Sequence, residues 1–118
     1  MVELEPTAYS YYKLARAELG AGNPRAAYAA ALRSVFAARR ERSFNGLFGA
    51  SHVAATCVQC EALGPKWRCS QVAPFLDNME EALPHLRRWM PPAMLERWIK
   101  DCVAPLRECR RLHAHSDR

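Results

Sequence analysis

Residues 6–42 read PTAYSYYKLARAELGAGNPRAAYAAALRSVFAARRER, and the spacing of apolar side chains in this stretch decides the fold class. Ala8, Tyr11, Tyr12, Ala15 and Leu19 recur three and four positions apart, which puts them on one face of a helix and leaves Tyr9 at its side. Pro6 suits the first turn, because its φ is already helical and an N–H there would have had no partner. Gly20-Ala21-Gly22-Asn23 ends the helix. Asn23-Pro24 then reads as an N-cap with proline at the first helical position, and the second helix carries Tyr28, Ala31, Leu32, Val35 and Phe36 on one side. Two helices joined by so short a turn form an antiparallel hairpin over 6–42. Ala26, Ala27, Ala29, Ala30 and Ala31 let a neighbouring backbone come close.

Outward from the hairpin, SFNGLFG at 43–49 carries two glycines and reads as part of a loop over 43–50. Ser51 is the expected cap of a third helix, HVAATCVQCEAL, ended by Gly64-Pro65. An amphipathic run follows with Phe75, Leu76, Met79, Leu83, Leu86 and Met90, and Pro84 inside it predicts a kink or break. These helices fill 51–90. The last helix, 91–114, opens with Pro91-Pro92 and carries Leu95, Trp98, Ile99, Cys102, Val103, Leu106, Cys109 and His113, with Pro105 interrupting it. Nothing alternates with the period of a strand. The expected fold is all-α, a single domain over 1–118 of five or six helices arranged as antiparallel hairpins, either stacked as repeats or gathered in a compact bundle.

The chain has 118 residues, 50% of them hydrophobic and 25% charged, which fits one compact globular unit and excludes collagen, a disordered chain and a two-lobed enzyme. Its apolar runs are far shorter than the roughly 20 residues a membrane span needs, and no secretory signal follows Met1. Seventeen cations against twelve acids give a net charge of +5. That balance permits an acidic protein partner or a nucleic acid and requires neither. With no signal, the five cysteines (Cys57, Cys60, Cys69, Cys102 and Cys109) read as reduced core thiols of an intracellular protein. The CxxC pair at 57 and 60 lacks a second pair at zinc-ligand spacing, so no metal is expected. No phosphate loop, Ser-His-Asp order or HExxH is present, so no cofactor is expected either.

Residues 11–32 resemble a tetratricopeptide repeat. Tyr11 matches that family's first-helix aromatic, Leu14-Ala15 its large-then-small pair, Gly22-Asn23 its turn and Ala27 the small residue at the helix crossing, while Glu18 departs from an aromatic position. A looser second unit runs from His52 to about Leu83 with Cys69 at the crossing. The resemblance implies a non-enzymatic scaffold that binds a segment of another protein in a groove, with Lys13 and Arg16 among the candidate lining residues. A competing resemblance is to the HEPN helical bundles, whose active members cut RNA with an R-x4-6-H motif; Arg107 with His113 and Arg110 with His115 have that spacing. That likeness implies phosphate binding by the arginines and proton transfer by the histidines. The alternative for the same residues is a basic helix end meeting the macrodipole.

Candidate protein-binding residues follow from chemistry that is costly to leave in water. Phe44, Leu47 and Phe48 crowd the expected loop, Trp67 and Trp89 are potential anchors, and Arg39, Arg40 and Arg42 end the second helix. Asp77, Glu80 and Glu81 form an acidic patch at helical spacing that either solvates a face or meets the arginines. The expectation is an adaptor for a protein with an acidic or amphipathic segment, with self-association through the Phe44 region or the Trp89 corner as a further possibility.

Overall fold

The computed structural model describes residues 7–59 and 69–112. Among the described residues six α-helices run in order: α1 Ala8–Gly20, α2 Pro24–Glu41, α3 Phe44–Val58, α4 Cys69–Leu86, α5 Pro92–Trp98 and α6 Ala104–Leu112. A π-helical segment, Ile99–Val103, joins α5 to α6 in one rod. The described residues contain no strand, and the fold is all-α. Each of α1 to α4 packs on the next, α1 also lies beside α3, and α6 returns to pack on α4.

The first helix opens at Ala8, two residues later than Pro6 would place it. Thr7 is the cap, its hydroxyl accepting the Ser10 N–H at 3.1 Å. At the far end the Asn23 N–H bonds back to the Glu18 carbonyl at 2.8 Å around Gly22, whose φ of +84° only glycine adopts without strain. The Asn23 side chain makes no cap bond; it donates to Glu18 Oε2 at 3.1 Å and ties the turn to α1. The open end of the hairpin is tied as well, since Glu41 Oε2 accepts the Ala8 N–H at 2.8 Å and buried Ser34 Oγ donates to the Ala8 carbonyl at 2.7 Å.

The inward side of α2 is not the side that its large residues indicate. Ala27, Ala30, Ala31, Ser34, Ala37 and Ala38 are buried, whereas Leu32 is 40% and Phe36 72% exposed. The reason is its position: α2 packs on both α1 and α3, and small side chains let both neighbours come near. Bulk at those positions would push them apart.

Residues 43–50 are not a loop. Arg42 ends α2 in the left-handed region at φ 56°, and Ser43 at once caps α3 by accepting the Gly46 N–H at 3.0 Å. The cap is therefore Ser43 and not Ser51, which lies buried mid-helix and accepts a hydrogen bond from Asn78 Nδ2. Leu47 and Phe48 are 2% exposed and belong to the core. Their apolar mass is used inside the fold.

Helix α4 runs unbroken through Pro74 and Pro84. Both prolines are exposed, so the carbonyls they leave unpaired on the previous turn face water. The opposite side buries Val72, Phe75, Leu76, Met79, Ala82, Leu83 and Leu86. At about 1.5–3 kcal/mol per large side chain, that burial outweighs the roughly 3 kcal/mol an interior proline costs. The π segment accommodates Pro105 differently. Its wide turn, with the Ala104 N–H reaching the Ile99 carbonyl, falls just before the proline, where an α-turn would drive the ring into the Asp101 carbonyl. Leu95, Val103 and Leu106 stay buried on either side of it.

The thiols are not all reduced. Cys57 is buried and Cys102 half-buried, both as thiols, but Cys109 is disulfide-bonded, with its partner outside the described side chains. No helix among the described residues is long and apolar enough to cross a membrane.

Candidate functional site

Because α1 and α3 lie side by side on α2, the strip between them is a groove. Its upper part, about 260 Å³, is lined by Tyr9, Tyr12, Glu41, Asn45, Gly49 and Trp98 among others. Its lower part, about 340 Å³, is lined by Tyr12, Arg16, Leu19, His52 and Thr56 among others. Tyr12 belongs to both. Each part sits near the lower limit of small-molecule pockets, about 300 Å³, and the two follow each other along the helices. That shape suits a length of chain.

The α3 wall is a helical stripe, Asn45, Gly49, His52 and Thr56, at spacings of four, three and four. Gly49 provides the seat for Tyr12: a Cβ there would lie 3.3 Å from Tyr12 Cε2. Trp98 reaches the groove from α5, its indole stacked on Phe48 with centroids 5.3 Å apart. Tyr9, 65% exposed, carries Lys13 Nζ 4.8 Å from its ring centre.

Charge divides the groove. Arg16 Nη1 donates to the Tyr12 hydroxyl at 3.1 Å and leaves the phenolic proton available to an acceptor. Burial, and then the positive charge of Arg16, hold His52 below the ordinary imidazole range. Arg16 makes the lower end cationic, while Glu41 at the upper end is spent on the α1 N-terminus. Chemically the groove offers aromatic walls, hydrogen-bonding polar groups and a cationic end. Among the described residues no group of three or more His, Cys, Asp or Glu side chains is placed to hold a metal ion.

Compared with protein-family models, with curated proteins and with solved structures, the chain finds no match. The site therefore rests on its own geometry.

The residues singled out in the sequence are dispersed. Leu47 and Phe48 are core, and Phe44 is half-buried, its ring stacked flat on His85 at 3.5 Å. Arg39 is bound to α4, with Nη1 3.0 Å from Glu81 and Nη2 2.6 Å from Asn78. Arg40 and Arg42 are exposed, and Trp89 is 61% exposed at the α4–α5 corner. Trp67, His113 and His115 lie outside the described residues. Arg107 pairs with Glu80, Nη2 to Oε2 at 2.7 Å, and Arg110 Nη1 with Asp77 at 2.8 Å. The acidic patch thus meets the arginines and fastens α2 and α6 to α4. The Arg107 hydrogen bond also holds Glu80 below the usual carboxylate range.

Tyr9, Tyr12, Gly49, His52 and Trp98 were not singled out as a site by sequence reasoning, though Arg16 was. The available signal was the Gly49-x-x-His52-x-x-x-Thr56 spacing on a helix that runs back to Phe44, hidden while 43–50 read as a loop.

Proposed function

We propose that the chain is a non-enzymatic protein-binding module whose α1–α3 groove receives a segment of a partner protein. The carrying observation is that two consecutive clefts share Tyr12 and expose aromatic rings on one side and Arg16 on the other. An apolar or aromatic partner residue would sit among Tyr9, Tyr12 and Trp98, and a partner carboxylate would face Arg16. Affinity would come mainly from the buried aromatic contact, with charge setting orientation and association rate.

The tetratricopeptide-like reading is supported by Ala15 and Ala27, both fully buried in the core, and by α1 lying next to α3. Exposed Leu14, the large member of the matched pair, is a departure from it. Arg107 and Arg110, which an RNA-cutting alternative requires for phosphate, are paired with Glu80 and Asp77. That pairing favours the binding reading.

The test is selection from a displayed library of random peptides. Enriched peptides are expected to carry an aromatic or aliphatic residue close to an acidic one, and to bind Tyr9→Ala and Arg16→Glu chains about tenfold more weakly. Both positions are exposed, so these chains should fold. An absence of enrichment, enriched peptides indifferent to both substitutions, or cleavage of single-stranded RNA by the purified protein would overturn the proposal.

A further inference from the structure

We infer that the outer face of the α1–α2 hairpin docks an acidic amphipathic helix of another protein. Phe36 and Leu32 stand one turn apart, Phe36 largely in water at 72% exposed and Leu32 partly so at 40%. Phenylalanine left so open on a helix centre is costly unless something covers it. Together with Tyr11 and Ala37 they line a second groove of about 340 Å³, rimmed by Arg33 and Arg40.

Charge identifies the occupant. Between Ala8 and Glu41 the hairpin carries six cations and two acids; of the cations Arg39 is bound to Glu81 on α4, and Lys13 and Arg16 lie against Tyr9 and Tyr12, so the rim's own charge is that of Arg33 and Arg40. Both acids are engaged elsewhere, Glu18 on Asn23 at the turn and Glu41 on the Ala8 N–H. No carboxylate among the described residues pairs with Arg33. The apolar floor is therefore bordered by cations, and a partner that covers it must bring acids on its flanks. Leu32, Arg33, Phe36 and Arg40 follow one another at helical spacing, so the complementary ridge is that of a third helix laid along the first two. A second copy of the chain would set this basic rim against itself.

This surface lies apart from the α1–α3 groove and does not depend on it. Selection from a displayed library of amphipathic helices of about 18 residues, five turns, with acidic, basic and neutral flanks equally represented, tests it on the full chain. Expected is enrichment of acidic-flanked helices with two apolar residues one turn apart. Their binding should weaken about tenfold on Phe36→Ser and on Arg33→Glu, and the Arg33→Glu chain should shift its preference toward basic flanks. Tyr12→Ala should leave the binding unchanged, which separates failure of this surface from failure of the groove. Circular dichroism of each variant verifies the fold. No enrichment, or enrichment indifferent to flank charge or to both variants, overturns the inference. So does a Phe36-dependent dimer in sedimentation, or Phe36-dependent binding to phosphatidylserine vesicles with no helix selected.

Discussion

Deleting Lys100 would convert the π segment into ordinary α-helix, and the expected result is a loss of stability of about 3 kcal/mol. The side chain of Lys100 is exposed, so its own removal costs little. Register is kept, because the Ala104 N–H still reaches the Ile99 carbonyl, now four residues back instead of five, and Trp98 stays on Phe48 while Leu106 stays in the core. The damage comes from Pro105, which then stands inside a strict α-turn with its ring against the Asp101 carbonyl, at about 3 kcal/mol. That is a large part of the roughly 5–15 kcal/mol typical of folded domains. At a urea slope of about 2 kcal/mol per molar, the unfolding midpoint should drop by about 1.5 M. Lys100→Ala, measured in the same urea titration by circular dichroism, should match wild type. A deletion chain with the wild-type midpoint would refute the account of Pro105 and the π turn.

Ser34→Ala should lower stability by about 1–3 kcal/mol in the same titration, because the Ala8 carbonyl loses its buried donor. Ala31→Leu should destabilise by about 1–3 kcal/mol through overpacking, whereas Phe36→Ser should stay within about 0.5 kcal/mol of wild type; the opposite order would place the core on the wrong side of α2. His52 is held below the ordinary imidazole value of 6.5, so the unfolded chain binds its proton first. Its contribution is therefore complete above that value and is lost as pH falls through the lower folded value. Thermal unfolding from pH 7.5 to 5 should show this slope, and His52→Gln should flatten it. Iodoacetamide on the folded, non-reduced protein should reach Cys102 slowly, since burial raises its thiol, and should miss Cys109 until the disulfide is reduced. Mass spectrometry of the labelled peptides reads both.

The helical class was legible because apolar spacing of three and four persists in every segment, and the α1–α2 turn because Gly22-Asn23-Pro24 leaves few backbone choices. What the sequence concealed came from competition between signals. Two glycines outweighed the Phe44, Leu47 and Phe48 spacing, although Ser43 is a competent cap that accepts the Gly46 N–H. In α2 the eye follows large residues, while the central place of the helix selects small ones, a choice fixed by neighbours that are distant in sequence. The groove followed from the same misreading. Its α3 wall cannot be drawn until 44–50 are helical, and Trp98 joins it only through the return of α5.

The hydrogen bonds at Ala8 and Asn23 close the α1–α2 hairpin at both ends. In mechanical terms the two helices form a buckle fastened at each tip. A pull on Tyr9 would have to break the Glu41 and Ser34 bonds, both made to Ala8, before α1 could peel from α2. Load on α1 would then run in shear along the small-residue contact between the two helices.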